Sequence, residues 1–448
     1  MKIIDNAKSY NIFRVEELSS VHFVIPIYKG PTYKSIHSDD ISLLYVYSLN
    51  TSQEYILCFE HSECKGMSKQ LLKDFLINAP VVFCYEKKKL LKYCDKDTLI
   101  DIDLVQWYYS NTILEQEYDT PTHEFFYRTF ENLTEVNVVI PISKHYDKCK
   151  KIRESFFNVL DYFESNTYAT TKSYDYYDMI CKQLYEIEKS GLFVNHKIYN
   201  KHFETNVIKN SLVHTEYNMY TTTGRPSNRF NGINYAALNK EDGCRESFIS
   251  RYDNGILVQF DYDAYHLRLL ADLIDYKFPE NISVHEYLGK LYFDKQVLSA
   301  DEYQESKQIS FKLLYGGITK DYMSIEFFEK VKQYTDLLFE KFTDEGYLDS
   351  PIAGRRLHKK FFTDINASKL LNYFIQIYET ERNLYIISKI HELIHMKSCN
   401  LVLYTYDSFL FDMDVYDPDI IKQIQEILHQ NNKFPTKLTK GVNYNDVE

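Results

Sequence analysis

The chain has no stretch of about twenty apolar residues, the length a membrane-spanning helix needs. Its N-terminus, MKIIDNAKSY, has no apolar core of the secretory-signal kind. Both absences point to a soluble, cytoplasmic protein. No Cys-x-x-Cys pair occurs and the eight cysteines are scattered, which excludes the usual zinc-binding spacings and predicts reduced core thiols rather than disulfides. Positive charge is also in short supply. The net charge of −12 argues against broad polyanion binding, since Lys and Arg supply most non-specific affinity for phosphate backbones. Any such contact must come from local clusters, and it should be weak and lost early as salt rises. Glycine is scarce, 13 against 41 tyrosines. With Lys, Asn and Ile plentiful, that balance points to an AT-rich coding genome such as a phage or a low-GC bacterium. What remains is ordinary globular material: 448 residues, 44% hydrophobic and 26% charged, enough for a sizeable core in two or three domains.

Two aspartates stand in otherwise apolar strand-like runs, Asp261 in GILVQFDYD and Asp407 in LVLYTYDSFLFD. A carboxylate flanked by Val258, Phe260, Phe409 and Phe411 is costly to bury unpaired, and a bound cation removes that cost. Phosphoryl transfer from a nucleoside triphosphate needs two Mg²⁺ ions about 4 Å apart, which carboxylates on adjacent rigid strands can hold. Taken singly, each aspartate reads as a strand-end or turn residue. Between them lies the helical segment 305–317, ESKQISFKLLYGG. There Lys307, Phe311 and Tyr315 recur at i, i+4 and i+8 and so share one face. Core packing beside a surface lysine is the plain reading of that stripe. The functional one is a phosphate-binding lysine, a sugar-facing aromatic and a stacking tyrosine meeting one nucleotide.

Upstream stand TTTGRPSN (221–228) and then the strand with Asp261, and this order resembles the polymerase domain of family A DNA polymerases, the family of bacterial DNA polymerase I. The resemblance implies that Arg225, closing a Thr-x-x-Gly-Arg segment, reaches the minor groove at the primer terminus. FDYDAYHLRLLADL (260–273) would be motif A, with Asp261 a metal ligand, Tyr262 beside it in the metal set, and Arg268 in register; segment 305–317 would be motif B. GRRL (354–357) and LLNYFIQ (370–376) follow in family order, placing Asn372 and Gln376 as primer- and template-contacting polar residues. YDS (406–408) stands at motif C, where the DNA polymerases of the family usually read His-Asp-Glu. Tyr406 then replaces the histidine and Ser408 the glutamate, as serine does in the related single-subunit RNA polymerases, while Asp407 stays. His285 matches a family histidine near the phosphates. His266 stands where a glutamate blocks a ribose 2′-hydroxyl and is placed to hydrogen-bond Tyr315; Tyr303 stands where an arginine holds the triphosphate. Arg225 with Arg229, and Arg355, Arg356, Lys359 and Lys360, form two basic clusters, read as duplex contacts in this setting.

The N-terminal third offers strand-like runs at 22–28, 41–49, 54–60 and 80–86 and a helical run at 71–77. Its order of elements resembles the 3′-5′ exonuclease domain that precedes family A polymerase domains. The opening strand reads IPIYKG where that chemistry needs Asp-x-Glu, and CYEKKKLL (84–91) sets lysines where a metal ligand belongs. The expectation is a degenerate exonuclease. Segment 173–203 looks like the helix opening the polymerase domain, with Ile180, Leu184 and Ile187 on one face and Gly191 ending it. Too little chain separates Phe203 from Thr221 for the family's long helical thumb.

The implied fold is α+β: a right-hand polymerase with an antiparallel palm sheet, helical fingers and a reduced thumb, preceded by an RNase H-like exonuclease-type α/β domain. The implied domains are 1–150 (exonuclease-like), 151–220 (linker and vestigial thumb) and 221–448 (palm and fingers, the fingers at about 275–345). The implied activity is two-metal addition of dNTPs to a primer 3′ end on a DNA template, with Mg²⁺ as cofactor and Mn²⁺ as the alternative ion. Primer-template DNA and dNTPs are the implied partners, with a processivity or replication protein because the chain alone should be poorly processive. Two alternatives stay open: an RNA polymerase or primer-making enzyme of the same superfamily, favoured by Ser408, and an inactive DNA- or partner-binding scaffold, favoured by the missing thumb.

Overall fold

The structure, a computed structural model, describes residues 1–31, 34–113, 121–165, 167–203, 210–228, 233–280, 282–414 and 417–447. Arg229 of the expected basic cluster lies outside them. The chain divides into two compact units, residues 1–189 with 205–216 and 229–233, and residues 190–204 with 217–228 and 234–448. The segment 151–189, expected as part of a linker, belongs to the first unit.

The first unit is built on a six-stranded sheet: β1 (Lys2–Ile4), β2 (His22–Tyr28), β3 (Ile41–Ser48), β4 (Glu54–Cys58), β5 (Val82–Cys84) and β6 (Leu99–Asp101), in the order β1-β4-β3-β2-β5-β6. β2, β3 and β4 run antiparallel, whereas β1 joins β4 and β5 and β6 extend β2 in parallel. Successive side chains of a strand face opposite sides, and here both sides are covered. Val24, Leu44, Val46 and Leu57 pack under α1 (Ala7–Glu17) and α2 (Lys69–Asn78) through Phe13, Leu72 and Phe75. Phe23, Leu43, Tyr45 and Ile56 pack under α3 (Ile102–Ser110) and α4 (Ile142–Ser165) through Val105 and Phe156, whose ring lies flat on Phe23 with centroids 4.3 Å apart. The long helix α5 (Thr167–Ser190) stops at Gly191, whose φ of 62° is the left-handed conformation a helix C-terminus favours. Six cysteines are free and buried as their scatter predicts, but Cys58 and Cys64 pair as a disulfide, because the chain leaving β4 turns back on itself within six residues.

The second unit is organised by a four-stranded antiparallel sheet of β7 (Gly255–Tyr262), β8 (Cys399–Thr405), β9 (Ser408–Asp414) and β10 (Thr436–Gly441), in the order β8-β9-β7-β10. Val258, Phe260, Leu401, Phe409 and Phe411 are fully buried. Around it stand α6 (Tyr265–Leu273), α7 (Val284–Phe293), α8 (Ala300–Gly316), α9 (Glu326–Glu345), α10 (Ala367–Ile394) and α11 (Pro418–His429). α8 opens with a Ser299–Glu302 capping box, in which each residue satisfies the other's free backbone N–H. It ends where Gly317 takes a φ of 101°, with a Cβ there forced to 2.8 Å from Ser368 Oγ. α10 is buried along most of its length, with Tyr385, Lys389 and Glu392 exposed on one face, and it carries Glu379, Thr380, Glu381, Arg382 and Asn383 inside. Among the described residues no helix is long and apolar enough to cross a membrane.

Candidate active site

β7 and β9 bring the two aspartates together. Asp261 is in register with Ser408 on one side and Lys437 on the other, and the backbone N–H of Tyr262 donates to the Asp407 carbonyl at 3.0 Å. Asp407 therefore sits at the β8–β9 turn directly beside the end of β7. That two-residue turn places Tyr406 at a φ of 64°, a left-handed conformation costing a non-glycine residue about 1–2 kcal/mol. Asn383 Nδ2 holds it by donating to the Tyr406 carbonyl at 2.8 Å, and the Arg225 guanidinium lies 3.6 Å above the Tyr406 ring. A positive φ is what a two-residue hairpin turn requires, and these two neighbours hold the turn in place.

One cleft is lined by Asp261, Asp407, Arg225, His266, Lys307 and Tyr315, with Phe311, His285 and Tyr303 around them. Burial first, and then the nearby charge of Glu379, push the Asp407 carboxyl above the ordinary range. On the opposite wall, Phe311 and Tyr315 lie parallel at 5.9 Å, both partly exposed to the cleft, and Lys307 Nζ rests 4.7 Å over the Tyr303 ring. His285 is buried behind Phe311 with Nδ1 unpartnered, and burial lowers its pKa to about 4. At neutral pH it faces the cleft uncharged.

Some sequence-predicted residues sit elsewhere. The Tyr262 side chain is buried, stacked on Tyr265 at 4.2 Å and hydrogen-bonded to the Leu428 carbonyl, so only its backbone is available to a metal set. Asn372 and Gln376 bond to each other, and Gln376 accepts from Thr223, next to the Arg225 loop rather than in the cleft lining. Arg268 folds back onto Asp263 at 2.9 Å. The basic cluster after Gly354 needs correction: Arg355 is 1% exposed and donates to the Thr222 carbonyl, so it shapes the 221–225 loop and leaves Arg356, Lys359 and Lys360 outside.

Glu379 is the site residue that the sequence motifs did not single out. It is 1% exposed on α10, 2.9 Å from Arg225 Nε and 3.2 Å from His266 Nε2. Its spacing of i+7 from Asn372 and i+3 from Gln376 was the available signal.

The donor set suits a hard divalent cation, because Mg²⁺ keeps several waters and is held by one or two carboxylates plus substrate phosphates. Among the described residues no group of three or more His, Cys, Asp or Glu is arranged to hold a metal, so Asp261 and Asp407 are the minimum such a site requires. Asp407 is half-buried near a second carboxylate, a repulsion a cation relieves.

In the first unit, the stretch read as lysines in a ligand's place turns its charges inward. Lys87 Nζ, fully buried, meets Asp178 at 2.5 Å, and Lys88 meets Glu188 at 2.6 Å, both acids on α5. Lys89 pairs with Glu86. A cavity there is bounded by Tyr28, Glu86, Lys89, His123, His145 and Lys148.

No protein-family model and no curated protein matches the chain. Among solved structures it is similar to the POL domain of Pol1 from M. smegmatis in complex with DNA primer-template and dNTP, with a TM-score of 0.72 over 100% of both chains and 12% identity. At that identity the likeness is one of fold, a polymerase-domain fold.

Proposed function

We propose that the chain is a DNA-templated DNA polymerase that adds dNTPs to a primer 3′ end. One observation carries the reading: Asp261 and Asp407, joined at one end of an antiparallel sheet, face Lys307, Phe311 and Tyr315 of one helix across a single cleft. The fold it shares with a polymerase domain supports the same conclusion.

Asp261 and Asp407 would hold Mg²⁺, which when bound acidifies the attacking hydroxyl and neutralises phosphate charge. Lys307, the cation of α8 in the cleft, takes the triphosphate, helped by His285 as a neutral hydrogen-bonding group. Phe311 and Tyr315 form a flat apolar wall for sugar and base. Arg225 and Tyr406 hold the primer end, with Asn372 and Gln376 behind them on the template side. Base pairing selects the nucleotide. Residues 221–448 make palm and fingers, and the thumb is reduced, so processivity comes from a partner protein. The first unit's strand order, with an antiparallel middle strand and parallel outer ones, suits an RNase H-like exonuclease-type domain. With Lys87, Lys88 and Lys89 spent on ion pairs and no acid on β2, it serves structure rather than proofreading.

The test is extension of a labelled DNA primer on a longer template with Mg²⁺ and all four dNTPs. Extension complementary to the template is expected; none at low salt and high enzyme concentration would refute the reading. Without dNTPs, a mismatched primer terminus should stay intact for hours, and its trimming would show that the first unit is an active nuclease. Lys307→Ala removes a charge-assisted phosphate contact worth about 1.5–3 kcal/mol, so the KM for dNTP should rise roughly 10- to 150-fold while primer-template affinity stays put. An equal loss in both would assign Lys307 to DNA instead.

A further inference from the structure

Glu379 touches two of the proposed site residues at once. Its Oε1 lies 3.2 Å from His266 Nε2 and its Oε2 2.9 Å from Arg225 Nε. On the far side of the imidazole, His266 Nδ1 lies 2.8 Å from Tyr315 Oη. These contacts make a chain running from the Arg225 loop through α10 and α6 to the cleft-facing side of α8. We propose that Glu379 is the positioning residue for sugar selection, acting through His266 and Tyr315; this rests on the polymerase reading above.

The chemistry follows from donor and acceptor counts. A carboxylate can only accept, so the imidazole presents Nε2–H to Glu379, which leaves Nδ1 as the acceptor for the Tyr315 hydroxyl. Tyr315 keeps that proton, because burial and then the Glu379 charge push its phenol up to about 12. Both nitrogens of His266 are thereby occupied, Nδ1 by the Tyr315 hydroxyl and Nε2 by the carboxylate charge 3.2 Å away. The sugar of a nucleotide lying on Phe311 and Tyr315 meets an imidazole edge with no nitrogen free for a 2′-hydroxyl. A ribose would lose the hydration of that hydroxyl without recovering a hydrogen bond, whereas a deoxyribose loses nothing. His266 selects sugars in this arrangement by having its hydrogen bonds spoken for, and not by bulk alone. Arg225 faces Glu379 from the other side as an ion pair and holds the carboxylate there by charge.

Glu379→Gln is close to isosteric, but a carboxamide carries no charge to pair with Arg225 and only one oxygen to turn toward either His266 or Arg225. One contact becomes an N–H facing a donor, and the imidazole is released to turn or change tautomer. The test is single-nucleotide insertion of dATP and of ATP opposite template thymine, comparing kcat/KM. The dATP-to-ATP ratio should fall about tenfold in Glu379→Gln, the scale of one hydrogen bond. It should fall similarly in Tyr315→Phe, which removes the hydroxyl at the other end of the chain from a partly exposed residue. The double variant should lose no more than the larger single loss. A residue that merely supports the fold would lower both nucleotides alike and leave the ratio in place. If Glu379→Gln does not fold, Glu379→Asp, which withdraws the charge by one methylene, is read by the same ratio. A wild-type enzyme that extends primers while the Glu379 variant keeps its ratio, or a double variant whose losses multiply, overturns this assignment alone. A wild type that inserts neither nucleotide overturns the polymerase reading and this assignment with it.

Discussion

Asp407→Asn should abolish primer extension, by about 10³-fold or more, on the scale at which a single preorganised electrostatic group contributes to a transition state. The same substitution should leave the metal-free protein at least as stable as the wild type. Asp407 is half-buried at the β8–β9 turn, and both desolvation and Glu379 push its carboxyl up. A folded-state pKa raised above the unfolded value means that ionising the group opposes folding, so the penalty grows as pH rises past the unfolded carboxylate pKa and is absent in more acid solution. An amide has no such penalty. At neutral pH the thermal midpoint of Asp407→Asn should equal or exceed that of the wild type, and the two should converge on acidification. Added Mg²⁺ should raise the wild-type midpoint more than the variant's, because a ligand that binds only the folded state stabilises it. A variant that extends primers at wild-type rates would remove Asp407 from the chemistry; one that is inactive because it is unfolded would make it a structural residue.

How far the sequence exposed this arrangement depended on how local the cause was. β2 and β3 announced themselves because every residue packs on one face or the other, leaving apolar runs bounded by polar turns. The helix carrying Lys307, Phe311 and Tyr315 was legible from its periodicity and its glycine stop, while its start at a Ser299–Glu302 capping box went unread. Residues defined by distant partners were not. Arg355 reads as a solvated charge until the carbonyl of Thr222 is placed against it. Lys87 and Lys88 read as lysines set where a metal ligand belongs, and nothing local showed that their partner acids come from α5 far along the chain. Glu379 belongs to the polar run 379–383 of α10, and the groups it meets, Arg225 and His266, are each more than a hundred residues away. The pairing of Asp261 with the Asp407 turn is equally non-local, but Asp261 sits in a strand, and Asp407 between two strands, so apolar that a charge there needs a reason.

A third aspartate, this one within a strand, separates these causes by experiment. Asp412, on β9 five residues beyond Asp407, is 1% exposed and accepts from Ser250 Oγ at 2.5 Å, the Arg251 backbone N–H at 3.1 Å and Arg251 Nε at 2.7 Å. Arg251 in turn donates to the carbonyls of Ser190 and Gly191. The carboxylate is therefore fully used in tying the turn before β7 to the chain leaving α5, with no surface in the cleft. Asp412→Asn removes the charge that compensates Arg251. Breaking such a pair costs about 3 kcal/mol, the low end for a buried one because Arg251 retains some contact with water. For a unit of this size the unfolding midpoint should drop by about 6–12 °C, while primer extension per folded molecule at low temperature stays near the wild-type value. The two aspartates thus predict opposite phenotypes: neutralising Asp407 removes activity and spares stability, and neutralising Asp412 removes stability and spares activity. An Asp412→Asn protein with an unchanged midpoint would show that Ser250 and Arg251 hold the turn without it, and one that is folded but inactive would extend the catalytic set down β9.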